Sequence, residues 1–464
     1  MGLTVELGRF VSELDFQALP AGAMHWVGIA FADTVGTLVA GRGEPATQRL
    51  LAALQPAPGD SRLLWGGQRV RTLDAALANG TAAHALDYDD AAQKSHISTM
   101  VVPAILAQAD ALGSSGQDMA TAYVAGYEVF AELIRRERDV MHNYSWHPTG
   151  AFGAVACAAA GAVLRRLDAR QAAHALAIAA SHVGGVIANF GSDTKPLHAG
   201  RAAHDGLFAA AAAQQGFTGS LDALEHPKGM LTAVSPRRDV DLESPSEAGR
   251  VWKITRDGIN VKKYPACFCG HRAMDGLHDL VAQSGIAPAD VAGITVHISP
   301  RNKATLRYSR PQTGLQAKFS MEFAMAAMLH ARRVGLAEVT DAFVQRPDIQ
   351  ETMGRVSVRT QEADDPRRPG EAPFEIVEVA LRDGRRLRRE VAFARGNAAN
   401  PLKEGELLAK FDGCLAYGGE KTPAGELFGL LTAIDRVADT SQLYRAGTAS
   451  IRSSSGLNAS GASY

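Results

Sequence analysis

The chain has 464 residues, 48 Lys and Arg against 49 Asp and Glu, and 46% hydrophobic residues. That balance excludes disorder throughout and gives no basic excess of the kind that nucleic acid or an anionic membrane surface demands. Only 6% of the residues are aromatic while 46 are glycine, so a helical core packed through small side chains is expected.

The N-terminal stretch carries Glu6, Arg9, Glu13 and Asp15, where a signal segment would be apolar. The four cysteines, Cys157, Cys267, Cys269 and Cys414, are too scattered for a disulfide framework. A cytoplasmic protein in a reducing compartment is expected. The longest apolar run free of charge and histidine, Ala151 to Leu164, falls short of the roughly 20 residues that span a bilayer, so no membrane association is expected.

Up to about Gly219 the spacing of apolar residues predicts one helix after another: Ala21 to Ala40, Thr72 to Asp87, Pro103 to Leu112, Ala120 to Arg136, Ala151 to Leu167, Arg170 to His182 and Pro196 to Gln215. No strand is expected among them. After Lys253 the pattern changes. Gly293 to Ser299 and Arg355 to Thr360 alternate as strands, and Phe374 to Phe393 reads as a hairpin turning at Asp383-Gly384. Helices are expected at Arg272 to Gln283, Lys318 to Ala331 and Leu336 to Phe343, and an exposed loop at Ala363 to Ala372. Helical spacing returns in Leu402 to Ala416 and Pro423 to Ala438, ahead of a Ser, Gly and Ala-rich tail. The expected fold class is mainly α: a helical domain over 1–255 and 399–440, an α+β domain inserted at 256–398, and a flexible tail from 441 to 464.

Nucleotide-binding and zinc-protease signatures are absent, and four other places stand out physically. Asp87, Asp89 and Asp90 sit at the C-terminal end of a predicted helix, where the macrodipole repels anions. His147 precedes Pro148, and Lys195 precedes Pro196. Each should stand near a helix N-terminus, which binds anions and lowers the pKa of a nearby cation toward the range of an acid-base catalyst. Finally, Lys262 and Lys263 stand just ahead of Pro265, Cys267 and His271, offering cations suited to a polycarboxylate.

Taken in order, Leu86-Asp-Tyr-Asp-Asp90 with His96, Trp146-His-Pro-Thr-Gly150, Asn189 through Thr194-Lys-Pro-Leu-His198, Lys262-Lys-Tyr-Pro265 and Ala317-Lys-Phe-Ser-Met-Glu322 resemble the MmgE/PrpD family. That family includes 2-methylcitrate dehydratase, cis-aconitate decarboxylase and iminodisuccinate epimerase. The resemblance implies a helical domain with an inserted α+β lid, a homodimer, and chemistry without metal or cofactor at a carbon next to a carboxylate. It implies acid-base roles for His147 and Lys195, and pocket or carboxylate-holding roles for Asp87, His96 and Lys262. Lys263, Cys267, His271 and Phe323 are added as substrate-binding candidates.

Two departures bear on the reaction. Cys267 stands where the decarboxylase branch carries His, and Phe323 where it carries Tyr, which ranks decarboxylation below dehydration and epimerisation. The expected function is therefore a lyase or isomerase of the dehydratase or epimerase type acting on a small di- or tricarboxylate. Two competitors remain: a carboxylate-binding relative without activity, and a terpene-cyclase-like enzyme using the Asp87-x-Asp89-Asp90 acids. The low aromatic content argues against the second.

Overall fold

The computed structural model describes residues 2–362, 365, 371–421 and 423–446. Most of the loop expected at 363–372, and the tail beyond residue 446, lie outside these. The protein is mainly α-helical, with two small sheets.

The long helices of the first part are Ala23–Gly41, Thr72–Ala85, Ser98–Leu112, Gly116–Arg136, Pro148–Leu164, Ala169–Ala179 and Thr194–Gln214. Apolar residues from Leu3 to Tyr444 form one continuous core, to which Phe411, Leu415, Leu427 and Leu431 return after the intervening α+β segment. Small residues let the helices meet backbone to backbone. At Gly200 a Cβ would fall 2.2 Å from the Leu77 carbonyl oxygen and 2.3 Å from Thr81 Oγ1, so only glycine permits this contact.

In the first part, three features depart from the sequence reading. A two-stranded antiparallel ribbon, Pro58–Arg62 with Arg69–Val70, interrupts the helical series; its strands are too short and too rich in Gly, Asp and Arg to alternate. The helix Ser98–Leu112 carries Pro103 inside it rather than at its start, because burial of the surrounding residues overrides the local preference. Helix Gly116–Arg136 starts four residues ahead of the expected Ala120, at a capping box in which Ser115 and Asp118 satisfy each other's backbone N–H groups.

Among the described residues, Ala23–Gly41 is long and apolar enough to cross a membrane, by length and composition alone. It is the buried centre of the first core, and its one carboxylate, Asp33, pairs with Lys410 at 2.6 Å.

A second core, from Tyr264 to Leu381, surrounds a four-stranded sheet. The strand order is Val356–Thr360, Val291–Ile298, Glu375–Leu381, Arg386–Val391, with a parallel first pair and antiparallel others. The last two strands form the expected hairpin, with Gly384 at φ +90°. The expected helix Lys318 to Ala331 is divided: Ser320 Oγ accepts from Phe323 N and starts a new helix, Met321–Ala331. That break leaves Phe319 facing the cavity described below. The segment assigned to the tail begins with a helix, Thr440–Ala446, whose Leu443 and Tyr444 are buried and whose tyrosine ring lies 4.5 Å from Trp65.

Candidate active site

The acidic run sits where the sequence reading puts it, just past the end of helix Thr72–Ala85, and Asp87 takes left-handed backbone geometry at φ +50°. The repulsion expected there is answered by two buried ammonium groups. Lys195 Nζ donates to Asp87 Oδ1 at 2.8 Å, and Lys262 Nζ donates to the same oxygen at 2.7 Å and to the Asp87 carbonyl at 2.7 Å. Burial alone would raise the Asp87 pKa, but these two cations hold it well below the usual carboxylate range. For Lys262, burial works downward, while Asp87 and Asp89 outweigh it and carry its pKa above the ordinary value.

Asp89 serves a different group. Its Oδ1 lies 2.9 Å from His84 Nδ1, and its Oδ2 lies 2.9 Å from His96 Nδ1, which also faces the Asp90 carbonyl at 3.0 Å. Despite burial, which raises it, Asp89 is kept far below the usual range by these two rings. An ionised carboxylate only accepts, so each Nδ1 carries the proton and each Nε2 keeps its lone pair. Asp90 is fully buried; its burial and the neighbouring Asp33 push its pKa well up.

His147 is the N-cap residue of helix Pro148–Leu164, extended at φ −80° with Pro148 next, as predicted. Its Nδ1 is 3.1 Å from His198 Nδ1, and its ring packs edge-on against Phe190 at 4.9 Å. Burial first, then Lys195, depresses its pKa well below the ordinary imidazole value. His198 is lowered to about 4 and His84 to about 3, in both cases chiefly by burial. The imidazoles are thus neutral near pH 7. Lys195 lies in the first turn of Thr194–Gln214, one residue inside the helix rather than ahead of it, with its Nζ 5.2 Å from the Phe190 ring and 5.3 Å from the Phe319 ring.

Part of this set faces a cavity of about 630 Å³ between the two cores, while His84, Asp89, Asp90 and His198 stand behind its wall. Of the expected residues, Asp87, His96, His147, Lys195, Lys262 and Cys267 line it. Lys263, His271 and Phe323 do not. Lys262 is fully buried against Asp87, whereas Lys263 is only half-buried and its ammonium lies 5.8 Å from the Tyr264 ring. His271 is buried behind the cavity wall, with Nε2 3.1 Å from the Ala266 carbonyl. Phe323 belongs to the second core, against Phe343.

Sequence reasoning did not single out His84, Asp89 as a histidine partner, His198, Arg272, Arg301 or Lys318. Arg272, Arg301 and Lys94 add positive charge around the cavity. Lys318 is buried, donates to the Ala85 carbonyl at 3.1 Å, and has its pKa pushed down to about 8 by that burial. His198 was visible inside Thr194-Lys-Pro-Leu-His198, and His84 stands one turn before the acidic run, but nothing local assigns either a partner 51 or 5 residues away. Asp87 and Asp89 are held as anions by Lys and His, and Asp90, the acid of the run whose pKa is raised, is fully buried and does not line the cavity, which argues against the terpene-cyclase reading.

Comparison with known proteins settles the family. Residues 5–243 match the MmgE/PrpD N-terminal domain and residues 264–427 the MmgE/PrpD C-terminal domain. The chain belongs to the MmgE/PrpD family. As a MmgE/PrpD-type enzyme it is similar to the cis-aconitate decarboxylase of Homo sapiens, 29% identical over 369 residues, covering 76% of this chain and 74% of that one. It is 27% identical to the Mus musculus cis-aconitate decarboxylase over 82% of this chain and 79% of the other, and 22% identical to that of Aspergillus terreus over 95% of both. Of the two departures noted in the MmgE/PrpD pattern, Cys267 lines the cavity and Phe323 does not, so the second acts through packing of the second core. Cys267 is held below the ordinary thiol pKa, chiefly by its hydrogen bond with Cys269.

Proposed function

We propose that the chain is a lyase acting on a small tricarboxylate, with cis-aconitate the first candidate, through proton transfer at a carbon next to a carboxylate and without a resident cofactor. The observation that carries this reading is the pair of buried ammonium groups, Lys195 and Lys262, gathered on one Asp87 oxygen beside the neutral His147. The names of the relatives support a tricarboxylate substrate. With Phe323 outside the cavity lining, one of the two sequence arguments that ranked decarboxylation last loses its force.

Decarboxylation, dehydration and epimerisation make a common demand. Each places an electron pair on a carbon next to a carboxylate, and that charge spreads onto the carboxylate oxygens. Preorganised cations in a site shielded from water stabilise it. Lys262, with His96 and the arginines around the cavity, holds substrate carboxylates; Asp87 keeps both ammonium groups in place between turnovers. His147, with Nδ1 donating to His198, presents the lone pair of Nε2 as a base, and Lys195 gives or takes a proton as its partner. In decarboxylation the bond to carbon dioxide breaks, its electrons move into the conjugated acid, and a proton is delivered to carbon. In dehydration a proton is removed and hydroxide leaves with a proton.

The α+β unit acts in this reading as a lid, since the cavity lies between the two cores. The family resemblance supports a homodimer, whose interface would cover exposed apolar side chains such as Phe208 and Phe217. The test is steady-state turnover of cis-aconitate and related acids by the chain and two variants. His147→Gln and Lys195→Met are each expected to lower kcat by about a hundredfold or more. Near-normal activity in both removes the assignment, and tight binding of the acids without turnover by the unmodified chain favours a carboxylate-binding relative instead.

A further inference from the structure

His96 and His147 line the cavity and His84 lies buried against them, three imidazoles arranged more specifically than proton transfer requires. One ligating atom from each of His84, His96 and His147 lies within 4.8 Å of the others. Ring centroids are 4.5 Å apart for His84 and His96, 5.9 Å for His84 and His147, and 6.0 Å for His96 and His147. His84 is 1% exposed, and its Nε2 has no hydrogen-bond partner, a costly condition for a buried polar atom. The Nδ1 atom of every ring is engaged: His84 Nδ1 with Asp89 Oδ1, His96 Nδ1 with the Asp90 carbonyl while Asp89 Oδ2 lies 2.9 Å away, and His147 Nδ1 with His198. A carboxylate behind the imidazole is the arrangement that orients metal-ligating histidines and raises their basicity.

We propose that His84, His96 and His147 form a three-histidine site for a divalent ion of the zinc class, and that its occupation takes His147 out of proton transfer and inhibits the enzyme. Tetrahedral zinc bonded to nitrogen at about 2.0–2.1 Å needs ligand atoms roughly 3.3 Å apart, so the present spacing, within 4.8 Å, has to close by up to about 1.5 Å on binding. Charge is provided for: the Asp89 carboxylate lies directly behind two ligands, while Lys195 and Lys262, the nearest cations, are already drawn onto Asp87. The fourth position opens to the cavity, where water or a substrate carboxylate completes the shell. Binding stands on the histidine geometry alone; inhibition rests on the role given to His147 above.

The test uses the full chain stripped with a chelator and titrated with Co2+, then Zn2+. One equivalent of Co2+ is expected to bind with the intense visible bands of a four- or five-coordinate ion, to be displaced by Zn2+, and to abolish turnover reversibly on chelation. Asp89→Asn is expected to weaken binding 10- to 100-fold, and His84→Gln at least as much, with thermal melts confirming that both are folded. X-ray absorption of the zinc-loaded unmodified chain needs no variant and is expected to show nitrogen or oxygen neighbours only. Sulfur at about 2.3 Å would put the ion on Cys267 and Cys269 and overturn the proposal, as would no stoichiometric binding or full affinity in His84→Gln. Stoichiometric binding that leaves turnover intact overturns the inhibitory half. A metal-free chain inactive on every acid tried counts against the functional reading, while the binding result still stands.

Discussion

At the scale of single residues, the site is a set of charges held away from their ordinary states by burial and by each other. Among the described residues at and around the site, His84, His96, His142, His147, His198 and His271 have depressed pKa values with burial as the first cause. In the unfolded chain each titrates near 6.5. Below that pH the unfolded state takes up protons that the folded state refuses, so stability is full above about pH 6.5 and falls as the pH drops toward the folded values. For His198, lowered to about 4, the loss by pH 4 is on the order of 3 kcal/mol. Urea denaturation between pH 7 and pH 4.5 is expected to show a steadily falling midpoint, and His198→Asn a shallower fall. Equal slopes for the two proteins would contradict the buried neutral assignment. Trp146-His-Pro-Thr marks itself through proline beside a proton carrier, and of this set the sequence singled out His96, His147 and His271 and passed over His84, His142 and His198. It did not show that Asp89 serves two rings, because that depends on His84 and His96 converging from opposite sides of a turn in the chain.

At the scale of elements, catalytic geometry depends on how closely two helices approach. Thr194–Gln214 carries Lys195 and packs against Thr72–Ala85, whose end carries Asp87, through Gly200. Gly200→Ala puts a methyl group into the Leu77 carbonyl and Thr81, and is expected to cost about 1–3 kcal/mol and to raise KM by loosening the Lys195–Asp87 pair. Thermal unfolding and steady-state kinetics measure both, and an unchanged melting temperature would refute the close contact. Long helices and the Asp383-Gly384 hairpin were legible because periodicity and turn chemistry are local signals. The ribbon Pro58–Arg62 with Arg69–Val70, the buried Pro103 and the break at Ser320 were not, because tertiary packing decides each of them. Lys263 and Phe323 show the same limit: adjacency in sequence or in a motif does not say which wall a side chain faces.

At the scale of the whole molecule, the chain builds one helical core, leaves it to build an α+β core, and returns with Phe411 to Leu431 to complete the first. The return was readable from the recurrence of helical spacing after Pro401. The cavity between the cores takes Asp87, His96, His147 and Lys195 from one side and Lys262, Cys267 and Arg272 from the other. A homodimer, proposed from the family resemblance, predicts a light-scattering mass twice that of the chain, and a monomeric mass would refute it. The proposed reaction moves a proton at a carbon beside a carboxylate. Proton NMR of the chelator-treated chain in deuterated water tests it, with cis-aconitate first and then a panel of four- to seven-carbon di- and tricarboxylates. Solvent deuterium is expected at a carbon adjacent to a carboxylate, with or without net conversion, and that signal is expected to be lost in His147→Gln. A bound acid that acquires no deuterium, or equal labelling by His147→Gln, would contradict it.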